Sequence, residues 1–177
     1  GGVLHLFVTN GIAVNGTISA NGMTGFGGGA GGSILLKGRS LQGNGLVSAN
    51  GGVAHAWSKY SDSKASYHGG GGGGMVAFVD FEVMAEKFKP ESVLERVQVR
   101  GGRGGYYNYS NGPCLSFAAG GGPGTFYLKR KKKAYGDLHI RQKIDGCNDA
   151  WAAKAKGTAL ATVPKFPVVE LGGKAIT

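Results

Sequence analysis

The chain has 177 residues, of which 36 are Gly, 5 Pro and 2 Cys. Gly at about 20% is almost three times the ordinary usage of about 7%, but without a Gly-X-Y period or enough Pro for a collagen. Hydrophobic residues at 41% against 17% charged exclude ordinary disorder, and no apolar run of about 18 residues is present to span a membrane. The net charge of +10 favours polyanionic partners such as nucleic acid, acidic polysaccharide, anionic membrane or mineral. A plain solvated basic surface is the competing reading. The first residue is Gly rather than Met and no signal peptide is evident, so a processed or excised piece is expected.

In chain order, double glycines punctuate the sequence. Gly1 and Gly2 precede VLHLFV, Gly31 and Gly32 precede SILLKG, and Gly73 and Gly74 precede MVAFVDF. Pro123 and Gly124 precede TFYLKR, and Gly172 and Gly173 precede KAIT. A second apolar alternation follows each of the first four starts: GTISANG, GLVSANG, RVQVRGG and LHIRQKIDG. The unit reads as strand, turn, strand, glycine loop. The match of residues 18–22 (ISANG) with 47–51 (VSANG) is the strongest internal similarity. Alternation such as Val3 to Val8 suits a buried strand, and Asn-Gly steps at 15–16, 21–22, 44–45 and 50–51 supply bends.

Two architectures fit: a set of hairpins, since Asn-Gly is a hairpin signal, or stacked coils with equivalent strands and turns aligned. The recurrence of similar bends, in units too small to fold alone, favours the second. The expected fold is therefore all-β, a glycine-rich parallel β-solenoid of about four irregular units over residues 1–148. Residues 149–177 would be a wrapping segment or the start of a further unit. The glycine runs at 25–32, 69–74 and 120–122 are either flexible linkers or ordered segments with polyglycine-II-like packing. Their position at repeat junctions favours partial order.

The stretch GGGAGGSILLKGRSLQGNGLVSANGG, residues 27–52, resembles the glycine-rich right-handed parallel β-helix segments of secreted and surface proteins. Bacterial adhesins and plant glycine-rich ectodomains carry such segments. The resemblance covers the first half of the chain and implies scaffold or adhesion roles. It assigns no functional residue.

Candidate chemistry is sparse. Lys129, Arg130, Lys131, Lys132 and Lys133 are the sharpest charge feature. A strand would point them to both faces, so they form an exposed edge, a hairpin tip or an anion-binding ridge joined by Arg141 and Lys143. Asp80 and Glu82 alternate in one strand and share a face, but polysaccharide cleavage needs more converging acids. His5, His55, His68 and His139 lack metal-ligand spacing, so no metal or cofactor is expected. The RGGRGGYY stretch, residues 100–107, reads either as an RNA-binding segment or as the third unit's return loop, which is favoured. Cys114 and Cys147 are candidates for one disulfide, and Asn15 and Asn108 head glycosylation sequons.

These readings converge on a non-enzymatic, extracellular structural module of a fibre, matrix or adhesin. It would assemble with itself head to tail or with further repeats, and bind acidic polysaccharide or mineral through a basic face. Nucleic acid is not the expected partner. A carbohydrate-binding or -cleaving β-helix and an RGG-type RNA binder are the alternatives.

Overall fold

The structure is a computed structural model that describes residues 1–55, 68–89, 92–107, 115–116, 120–141, 169–171 and 174–176. The chain divides into two compact units, Gly1–Gly146 and Cys147–Thr177.

In the first unit the segments opened by glycine pairs become lateral neighbours. Strands β1 (Val3–Phe7), β4 (Ser33–Lys37), β7 (Met75–Phe81) and β12 (Gly124–Arg130) lie side by side and parallel. Val3 sits beside Ser33, Ser33 beside Met75, and Met75 beside Thr125. Between these long strands run two sets of short ones. β2 (Gly11–Ala13), β5 (Ser40–Gln42) and β8 (Val83–Met84) form one parallel sheet. β3 (Thr17–Ser19), β6 (Leu46–Ser48) and β9 (Val97–Gln98) form another. Each pass of the chain thus lays down three strands and then a glycine segment.

In-register pairing stacks like on like. Ile34, Val76 and Phe126 form one fully buried column, and Leu36, Phe78 and Leu128 the next. Each such side chain contributes about 1.5–3 kcal/mol relative to exposure. Phe78 is the hub, meeting Phe81, Phe88 and Phe126 edge to face at 6.3, 6.1 and 5.2 Å. The charged link of the third pass contains a 3-10 turn at Glu86–Phe88 and helix α1 at Val93–Arg96. Each sends one apolar residue, Phe88 and Val93, into this core.

The repeated Ser-Ala-Asn-Gly closes the third strand with a ladder. The Asn50 N–H donates to Asn21 Oδ1 (2.7 Å), and the Arg100 N–H donates to Asn50 Oδ1 (2.9 Å). Beyond it the glycine segments bond backbone to backbone. Gly52 donates to Gly29 (2.8 Å), Gly71 to Gly52 (3.0 Å), Gly102 to Gly71 (2.7 Å) and Gly121 to Gly102 (2.8 Å). Glycine is required there by close approach: a Cβ on Gly71 would lie 2.0 Å from the Gly29 carbonyl oxygen.

The all-parallel, four-unit solenoid expected from the sequence needs correction. The fold is mostly sheet, with parallel and antiparallel pairing mixed. The fourth segment does not make another pass: β13 (Asp137–Arg141) folds back antiparallel on β12, opposing Leu128 with Asp137 and Gly124 with Arg141. The physical reason is length. A parallel return needs a dozen or more residues, and only residues 131–136 separate the two strands. β10 (Tyr106–Tyr107) and β11 (Leu115–Ser116) pair antiparallel as well. In the second unit, the described residues form an antiparallel pair, β14 (Val169–Leu171) with β15 (Lys174–Ile176). The chain is also not purely β, since it contains the two short helical turns.

Candidate anion-binding corner

Lys37, Arg39, Asp80, Glu82 and Lys131 gather where the long strands turn toward the short ones. β4 ends at Lys37, and Arg39 follows in the corner. One pass later, β7 is irregular. The pairing with β12 shifts between Lys129 and Arg130, which face Val79 and Phe81, so Asp80 is left over as a bulge. Its φ of 63° is the left-handed conformation that an Asp tolerates better than most residues. The bulge aims the Asp80 carboxylate at Lys37, 2.9 Å away. Glu82 lies just past the strand and takes two cations, Arg39 Nε at 3.1 Å and Lys131 Nζ at 2.5 Å.

Both carboxylates are held below their ordinary pKa. For Asp80 the leading cause is the hydrogen bond from Lys37, with Lys129 and Lys131 adding attraction. For Glu82 it is the hydrogen bond from Lys131, reinforced by its charge and by Arg39. Lys37, Arg39, Asp80, Glu82 and Lys131, with Thr9, border an open cavity of about 400 Å³. Lys37, Arg39 and Lys131 against Asp80 and Glu82 leave one positive charge in excess there.

The predicted basic run occupies the end of β12 and the tight turn after it. Lys129 and Arg130 finish the strand, and the Lys133 N–H closes the turn on the Arg130 carbonyl at 3.0 Å. Lys131 is committed to Glu82. Lys132 and Lys133 are exposed, and among the described residues neither they nor Lys129 and Arg130 form an ion pair. Arg141 does not join this ridge. It pairs with Gly124 at the far end of the hairpin, roughly 20 Å along the strand from Arg130. Lys143 lies outside the described residues, as do Cys114, Cys147 and Asn108. Asn15 is exposed in the corner between β2 and β3.

Asp80 and Glu82 reach the same cavity, but through the bulge rather than through regular strand alternation, and each is paired with cations. The histidines lie in different settings: the His55 N–H donates to the Gly25 carbonyl, and the His68 ring meets Phe26 edge to face. His5 is on β1, and His139 stacks on Phe126 at 5.7 Å, closing a core column. Among the described residues no three His, Cys, Asp or Glu side chains converge as metal ligands. The Arg-Gly-Gly stretch is built into the backbone network, through the Arg100 N–H on Asn50 and the Gly102 N–H on Gly71.

Sequence reasoning missed Lys37 and Arg39. Aligning the units on their glycine pairs places these cations one pass before Asp80 and Glu82, which is the signal that was there to find. Among the described residues no helix is long and apolar enough to cross a membrane. Comparison with family models, with curated proteins and with solved structures finds no match to this chain.

Proposed function

We propose that this protein is a non-catalytic extracellular scaffold, a module of a matrix, fibre or surface adhesin, that holds an acidic polymer or mineral at the β12–β13 corner. One observation carries the reading. Lys129, Arg130, Lys132 and Lys133 cluster around one turn and form no ion pair among the described residues, while Asp80 and Glu82 are held by Lys37, Arg39 and Lys131. Unpaired cations crowded on one corner repel one another, and a polyanion relieves that repulsion while releasing its counterions. The same ion pairs speak against glycoside cleavage by Asp80 and Glu82. A general acid needs a raised pKa, and both groups are pushed down.

The test is titration with a sulfated polysaccharide and with neutral dextran, at several salt concentrations. Binding of the sulfated polymer that weakens steeply with salt is expected, with none to dextran. Lys132→Glu with Lys133→Glu should weaken it by at least tenfold. Binding unaffected by that double change would overturn the site. Equal affinity for single-stranded RNA would favour the nucleic-acid reading.

A further inference from the structure

We propose that Tyr127 is the stacking platform of a sugar subsite beside the lysine turn, and that the acidic polymer held there is a polysaccharide whose pyranose rings lie on that tyrosine. The inference rests on the polyanion reading of the corner and names the chemistry of its ligand. Phe126 and Leu128 are buried in the core, so by strand alternation Thr125, Tyr127 and Lys129 stand on the outer face of β12. On β13, Leu138 lies opposite Tyr127 and Ile140 opposite Thr125. Opposed residues share a face, and Leu138 and Ile140 are 62% and 54% exposed there. Met75, beside Thr125 on β7, is 46% exposed.

The tyrosine ring has a built seat. A Cβ added at Gly136 would lie 2.4 Å from Tyr127 Cζ, 2.5 Å from its Cε2 and 2.6 Å from its Oη. Near-equal distances to three atoms joined through Cζ place that point over the face of the ring, not off its edge. One face of Tyr127 thus rests on the bare backbone of Gly136, just before β13. Gly136 does not have a positive φ, so the position uses the missing side chain rather than backbone freedom. Laid flat on the hairpin, the ring turns its second face away from the strands. It also leans toward the turn, because Gly136 lies nearer to the turn than Leu138, the direct partner of Tyr127. Tyr127 is half-buried, and Lys129 follows two residues along the same face, about 7 Å away.

These surroundings select the occupant. A pyranose has C–H groups across one face and hydroxyl groups around its rim, so it covers an aromatic ring while its rim bonds outward. Here the ring supplies the apolar bed, Leu138 and Ile140 extend it, and the Tyr127 and Thr125 hydroxyls serve the rim. Lys129 and the turn cations Arg130, Lys132 and Lys133 lie at one side of that bed for the anionic substituents. No acidic side chain of the hairpin strands opposes them on this face. The one acid in β12 and β13, Asp137, lies opposite Leu128 and so stands on the other face. A nucleic acid fits less well. Single-strand binders align aromatics for successive bases, and this face of β12 and β13 offers one tyrosine among aliphatic neighbours.

Titration of the whole chain with a sulfated hexasaccharide and with inorganic polyphosphate of equal charge tests it. Tyr127→Leu should weaken the hexasaccharide about tenfold and leave polyphosphate unchanged, while Tyr127→Phe keeps the affinity of the parent protein. Gly136→Ala should also weaken the hexasaccharide, by lifting the ring off its seat. Circular dichroism should be unchanged in all three. In the unaltered protein, proton NMR of the hexasaccharide should show its ring C–H resonances moved upfield by the tyrosine, a readout that needs no variant. Equal binding of both polyanions, with Tyr127→Leu indifferent and no upfield shift, would overturn the platform and leave the lysine corner standing. Binding of neither ligand would overturn both. A Tyr127-dependent preference for single-stranded RNA would put a base in place of the sugar and overturn the proposal.

Discussion

Alanine at Gly71 and at Gly72 should have opposite consequences, although the two residues are adjacent. A Cβ on Gly71 would stand 2.0 Å from the Gly29 oxygen, 2.4 Å from its carbon and 2.8 Å from the Gly28 oxygen. Ordinary contact begins near 3.4 Å, so backbone must retreat by more than an ångström. The bonds at stake are Gly71 N–H to Gly52 at 3.0 Å and Gly102 N–H to Gly71 at 2.7 Å. Each is worth about 1 kcal/mol net, and forced overpacking costs about 1–3 kcal/mol more. The lower entropy of the unfolded alanine chain returns only about 0.4–1 kcal/mol. Gly71→Ala should therefore destabilise by about 2–4 kcal/mol. A Cβ on Gly72 meets nothing within 4 Å, so Gly72→Ala should be neutral or up to about 1 kcal/mol stabilising. Equilibrium unfolding in urea, comparing midpoints at constant slope, reads both. If the two variants unfold at the same midpoint, the glycine segments are not packed as described and the reasoning fails.

Other consequences are checked by similar means. Phe78→Ala removes the ring shared by Phe81, Phe88 and Phe126 and should lower unfolding free energy by about 3–5 kcal/mol. Asn50→Ala strands the Arg100 N–H and breaks the contact with Gln98; a loss of about 1–3 kcal/mol is expected in the same assay. Asp80 and Glu82 have folded-state pKa values below their unfolded ones. Their contribution is thus present above the ordinary carboxylate range and lost as pH falls through the folded values. Acid unfolding at low salt should show this as a midpoint that moves to higher pH when Lys37 and Lys131 are changed to Met; an unmoved midpoint would contradict it.

Much of the pass architecture was legible because the sequence repeats itself where the physics repeats. Glycine pairs before VLHLFV, SILLKG and MVAFVDF mark strands that become neighbours, and the two Ser-Ala-Asn-Gly copies mark the asparagine ladder. The middle strands GIA, SLQ and VM were not legible. Two or three residues are too few for an alternation to register, and they form because the flanking strands hold them. The hairpin at β12–β13 was also misread. LHIRQKIDG carries the same alternation as the earlier second strands, and only the shortness of the link before it shows that the chain must reverse. The lysine run was visible as charge, but Arg141 was wrongly joined to it, because strand direction decides which end of β13 reaches the turn. Asp80 and Glu82 do meet at one cavity, but by way of the bulge at Asp80 rather than by the even alternation of a strand.

The central claim is that bonded glycine segments, together with in-register strand columns, hold the passes side by side. Residue-resolved amide hydrogen exchange by NMR tests it most directly. Gly52, Gly71, Gly102 and Gly121 should exchange as slowly as Ile34 and Val76, at the rate of global unfolding. Glycine amides exchanging at the speed of an unfolded peptide, while the strand amides remain protected, would contradict it.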